Sequence, residues 1–131
     1  MNQNQNIIDE LILQANDDLG ASKALLDAGY NAHALFWLHL VLEKLCKAVW
    51  VKKNNNEKYP YIDNLIKLLK DSKIDLSDEQ IIFYTDMNQF QAKGRYLEDL
   101  VTKEKTITKD LSETYFQKVN PEIKWLKNLL Q

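Results

Sequence analysis

Few side chains in this 131-residue chain can do chemistry, and their number limits what that chemistry is. There are two histidines, His33 and His39, one cysteine, Cys46, and a single arginine, Arg95, among 17 basic residues. His33 and His39 are six apart, which on a helix turns them about 240° around the axis, so they do not converge on one metal ion as an i, i+4 pair does. Cys46 has no second cysteine for a disulfide or a thiolate cluster within the chain, and it lies in an apolar run rather than at a helix start. It reads as a small buried hydrophobe. His39, Glu43 and Lys47 recur at every fourth position and place one polar line along a helix, first read as a satisfied network within a bundle or at an interface. No glycine-rich phosphate loop and no Gly-x-Ser-x-Gly elbow is present. No metal and no cofactor is expected.

The elements that position these residues are helical. Three glycines and two prolines are too few for the turns of a sandwich or barrel of this length. Apolar or small residues at Ile8, Leu11, Ile12, Ala15, Leu19, Ser22 and Leu26 form one helical stripe, with Asp9, Glu10, Asp17, Asp18 and Lys23 off it. Gly29 is the expected C-terminal cap. Residues 30 to 52 are apolar on nearly every side, which predicts a helix buried all round, antiparallel to the first and covered by further helices or a second subunit. A solvated linker over 52–58 precedes Pro60, which suits the start of a third helix carrying Ile62, Leu65, Ile66, Leu68 and Leu69. Ser77 and Gln80 read as a capping box for a fourth helix, through Ile81, Ile82, Tyr84, Met87 and Phe90 to about Lys93, with a break at Gly94. Residues 95–107 are mixed and charged, and their structure stays open. The last helix, capped by Thr108 or Asp110, carries Leu111, Tyr115, Val119, Ile123, Leu126 and Leu130, with a kink expected near Val119 from Pro121. The expectation is an all-α, up-and-down bundle of four to five antiparallel helices, one domain over 1–131 with its core at about 7–130.

Charge and chain ends narrow the setting. With 17 basic and 19 acidic residues the formal charge is −2, so no net field draws in nucleic acid or an anionic membrane. A local groove of Lys44, Lys47, Lys93 and Arg95 could still hold phosphates. The polar N-terminus is not a signal peptide, and the most apolar window, Ala34 to Leu42, is interrupted by His39 and far shorter than a membrane span. A cytoplasmic protein without membrane contact is expected.

The ordered set Gly29-Tyr30, Ala34-x-Phe36, Glu43-Lys44-x-x-Lys47-Ala48, Pro60 with Asn64-Leu65 and Leu68-Leu69, and Gly94-Arg95-Tyr96 resembles the HEPN family. The likeness covers about residues 7 to 130. It implies a bundle of four or five helices, commonly a homodimer, with a cleft near the dimer axis. Active members are metal-independent ribonucleases in which an arginine is followed, after four to six residues, by a histidine. Histidine moves the proton of the ribose 2′-hydroxyl or leaving oxygen, and arginine stabilises charge on the phosphate. Here Arg95 is followed by Tyr96-Leu97-Glu98-Asp99-Leu100-Val101-Thr102, with no histidine, and the tyrosine that some members carry beyond it as a site of adenylate modification has no match. Leu97 replaces a proline, and Asp63 a histidine, that many small stand-alone members have.

What the resemblance leaves is a candidate nucleotide or phosphate site of Arg95, Lys47, Glu43 and Tyr96, with His39 and Lys44 as weaker candidates and no catalytic residue. Arginine grips carboxylate or phosphate bidentately where lysine does not, so a phosphate role for Arg95 stands beside a plain Arg95–Glu43 ion pair. The resulting expectation is a non-catalytic domain that binds a nucleotide or RNA end, or partners a small nucleotidyltransferase in a toxin–antitoxin-like system. Two alternatives stay open: a ribonuclease toxin using a displaced histidine, and a structural dimerisation module.

Overall fold

The computed structural model describes the backbone of residues 3–90 and 96–131, and their side chains apart from those of 96–100. These residues form α1 (Gln3–Asp27), α2 (Asn31–Asn54), α3 (Leu65–Asp71), α4 (Asp78–Met87), α5 (Tyr96–Thr106) and α6 (Lys109–Leu129), with a 3-10 turn over Asn88–Phe90 and no strand among them. The architecture is the expected all-α bundle, and α5 is an additional helix in the segment whose structure the sequence left open. Arg95, Gly94 and Lys93, with the end and break expected there, lie outside the described residues.

Gly29 makes the first reversal. Its φ of +89° lets the Gly29 amide donate to Leu26 and the Tyr30 amide to Leu25, at 3.0 and 2.9 Å, a paired closure that satisfies the last carbonyls of α1. α2 then runs back along α1, and the Ser22 hydroxyl seals the crossing by donating to the Ala34 carbonyl at 2.7 Å. The buried stripe of α1 is Ile8, Leu11, Ala15, Asp18 and Ser22. Asp18 therefore lies on the stripe, not off it: its carboxylate is held by Lys44 of α2, which makes burial tolerable.

α2 is the central element. Leu35, Leu38, Leu42, Leu45, Cys46 and Ala48 are all fully buried, and α1, α3, α5 and α6 pack around them. It extends to Asn54, three residues into the expected linker, and ends where Asn55 takes φ +49° and gives its amide to Val51. Lys52 and Lys53 in its last turn complement the helix dipole.

Three local expectations are corrected. Residues 60–63 are not helical, and α3 begins only after Asn64, whose side chain accepts from the Lys67 amide at 3.2 Å. On α4 the buried residues are Phe83, Tyr84 and Met87, while Ile82 is 63% exposed. On α6 the inward position one turn before Tyr115 is Ser112, whose hydroxyl donates to the Asn31 carbonyl at 3.4 Å, and Leu111 is exposed. The Ser77–Gln80 capping box and the Thr108 cap form as expected. Pro121 sits inside α6, which continues past it.

Candidate functional site

The polar line on α2 is assembled by helix geometry alone. Residues four apart share a face, so Glu43 stands between two neighbours. Lys47 Nζ lies 2.9 Å from Glu43 Oε2, and His39 Nδ1 lies 3.7 Å from Glu43 Oε1. The chain covers this line with the segment before α3: Lys47 Nζ stands 5.5 Å from the centre of the Tyr59 ring, a cation–π contact. Asn88, in the 3-10 turn, and Asn64 complete the surroundings. Asn88 Nδ2 donates to Asn64 Oδ1 at 3.0 Å, and Asn88 Oδ1 accepts from the Leu65 amide at 2.9 Å.

His39 is fully buried, and neither ring nitrogen has a hydrogen-bond partner of ordinary geometry. Asn88 and the Asp63 backbone are its polar neighbours, and Asn88 also bonds Asn64 and Leu65. Burial lowers the His39 pKa to about 4, although Asp63 and Asn88 favour its charged form. At neutral pH it is an uncharged imidazole closed off from solvent. Cys46 is also fully buried, and burial, then the charges of Glu43 and Glu122, push its thiol well above the ordinary value. It is a packing residue and no nucleophile.

His33 has a different task. Its ring and its backbone amide both bond Glu104 of α5, the amide at 2.8 Å. Glu104 thereby caps the first turn of α2, where Tyr30 provides no side-chain cap. Burial works to raise the Glu104 carboxyl, but hydrogen bonds from the His33 ring and from the His33 and Ala32 amides hold it below its ordinary value. Among the described residues no group of three or more His, Cys, Asp or Glu is placed to hold a metal ion.

Of the expected site residues, the structure brings Glu43, Lys47 and His39 together. Lys44 instead pairs with Asp18 of α1. The side chains of Arg95 and Tyr96 lie outside the described residues. Tyr96 opens α5 eight residues before Glu104, about 12 Å along the helix axis at 1.5 Å per residue. Sequence reasoning missed Tyr59, Asn88 and Glu104 as neighbours of the candidate residues. Asn88 and Glu104 bond partners 23 and 71 residues away, and no local spacing signals them.

A family model described as HEPN domain matches residues 8–129. No curated protein and no solved structure matches the chain. No helix among the described residues is long and apolar enough to cross a membrane.

Proposed function

The chain belongs to the HEPN domain family, and from that premise we propose that it is a non-catalytic, cytoplasmic, homodimeric member that binds a nucleotide or RNA end. It would do so beside a small nucleotidyltransferase partner in a toxin–antitoxin-like pair. The observation that carries the non-catalytic reading is the fate of the two histidines. The family's ribonuclease chemistry needs an imidazole that can exchange a proton at the phosphate Arg95 would hold. His39 is buried and uncharged, and His33 is bonded to Glu104. Neither is a free replacement for the histidine missing after Arg95.

Ligand recognition then rests on Arg95, with Tyr96 as a stacking surface and Lys47 as a further candidate. Glu43 already neutralises Lys47 and Asp18 neutralises Lys44, so neither lysine offers a bare charge. Arg95 is the cation on which phosphate affinity would depend. The homodimer is supported by the partly exposed aromatic surface of Tyr30, just before α2, and Trp37 on it, 53% and 38% exposed respectively.

Calorimetric titration of the purified protein with ATP tests the binding reading. Millimolar or tighter binding that Arg95→Ala abolishes is expected; no heat at millimolar ATP, with no complex on co-expression with a nucleotidyltransferase encoded alongside, overturns it. Incubation with total RNA tests the other half: cleavage by the wild-type protein that is lost in both Arg95→Ala and His39→Ala would establish a ribonuclease instead.

A further inference from the structure

Between α4 and α6 the surface forms a groove of about 580 Å³, separate from the α2 polar line. Its apolar surface comes from Ile82, 63% exposed, and from Phe83 and Pro121. Its charged surface is three carboxylates, Glu79, Asp86 and Glu122, against one lysine, Lys118. The whole chain carries a net charge of only −2, so this imbalance is concentrated locally.

Glu122 is fixed in place. Its Oε1 accepts from both the Tyr84 hydroxyl and Gln80 Nε2, each at 3.0 Å. Tyr84 is fully buried, and burial, with the nearby Cys46 and Glu122, keeps its hydroxyl protonated and able to donate. Gln80 is itself oriented by the Ser77 capping box. Glu122 Oε2 takes no hydrogen bond among the described residues, and an ionised carboxylate has acceptor capacity beyond one oxygen. The carboxylates of this groove therefore outnumber its single lysine and stand beside an apolar strip. Their complement is a set of cationic donors carried on an apolar segment.

We propose that the α4–α6 groove is a docking surface for a basic amphipathic peptide segment of a partner protein. The segment places an apolar side chain against Ile82 and Pro121 and its lysine or arginine side chains among Glu79, Asp86 and Glu122. A phosphate-bearing ligand is repelled here, so this surface is independent of the nucleotide reading and stands or falls apart from it.

The test is an NMR titration of the full chain with a short acetylated leucine–lysine peptide, beside a control peptide with glutamate in place of lysine. The basic peptide should shift the amides of Glu79, Ile82, Asp86 and Glu122, and the acidic control should not. Affinity should fall about tenfold or more in Glu79→Lys/Asp86→Lys, a change of about 1.4 kcal/mol or more, and should weaken with salt. Circular dichroism and the melting temperature check that this variant folds; if it does not, Ile82→Ser, at an exposed position, gives the same readout. Shifts spread over other faces, equal binding of the acidic peptide, or unchanged affinity in the folded variant would overturn the proposal. So would light scattering in which Ile82→Ser splits a wild-type dimer, since a second copy would then occupy the groove.

Discussion

His39 is the residue whose charge state depends most on its surroundings. Its pKa is lowered to about 4 in the folded chain and returns to about 6.5 on unfolding, so the native state excludes a proton that the unfolded state accepts. The stability this contributes is complete above about pH 6.5 and is lost as pH falls towards 4. A shift of that size corresponds to about 3 kcal/mol. Urea unfolding at stepped pH should show a loss of this order across the window in the wild-type protein and a flatter profile in His39→Gln; parallel profiles would refute the assignment. At the same scale, Glu43→Gln removes the carboxylate partner of a nearly buried lysine. The expected cost is about 1–3 kcal/mol in the same unfolding measurement, larger than for an exposed pair because Lys47 has little water to turn to.

At the scale of elements, Glu104 joins two helices that are distant in sequence. It caps α2 while sitting in the last turns of α5, and Asn31 Nδ2 reinforces the junction by donating to the Ile107 carbonyl at 3.4 Å. Lys103 also ties α5 to the 3-10 turn, with Nζ 3.2 Å from the Gln89 carbonyl and 5.2 Å from the centre of the Phe90 ring. Glu104→Ala should therefore raise amide exchange together in α5 and in the first turn of α2, with about 1–2 kcal/mol lost overall. Exchange raised in α5 alone would mean the cap is immaterial. Since hydrogen bonds hold the Glu104 carboxyl low, the clasp contributes at neutral pH and weakens as pH falls through the carboxylate range. The α1–α2 turn makes a second demand. A Cβ at Gly29 meets no atom within 4 Å, so Gly29→Ala tests backbone strain alone, and thermal melting should report a loss of about 1–2 kcal/mol.

For the whole molecule, the enclosure of α2 decides most of the stability. Leu42 is fully buried at its centre, and Leu42→Ala should cost about 2–5 kcal/mol, depending on how far the surrounding helices collapse. Such a loss is a large fraction of the total for a domain of this size. The chain's own helices cover nearly all of α2, leaving Trp37 as its one exposed large apolar residue beyond the α1–α2 turn among the described residues. A dimer built on that surface adds to a core already formed. Light scattering at micromolar concentration should report twice the 15.4 kDa chain mass, falling to the monomer in Trp37→Glu with helicity retained. Loss of helicity with dissociation would mean that folding and association are one event.

The sequence by itself determined that α1, α2, α3, α4 and α6 exist, though not where α3 starts or that α5 forms, and it determined the Gly29 turn, the Ser77 and Thr108 caps and the His39–Glu43–Lys47 line, because each depends on residues within about one helical turn of one another. It also determined that the histidine of the family's ribonuclease motif is missing after Arg95. Only the tertiary structure decided which apolar faces are covered: Ser112 rather than Leu111 turns inward, where it meets the Asn31 carbonyl, and Ile82 stays exposed beside α6. It likewise decided that Asp18 is buried against Lys44, that His33 belongs to Glu104, and that His39 is sealed beside Asn88 and Asp63. These pairings join residues far apart in the chain. Periodicity says which way a residue faces along its own helix, but not which side chain another helix will bring to meet it.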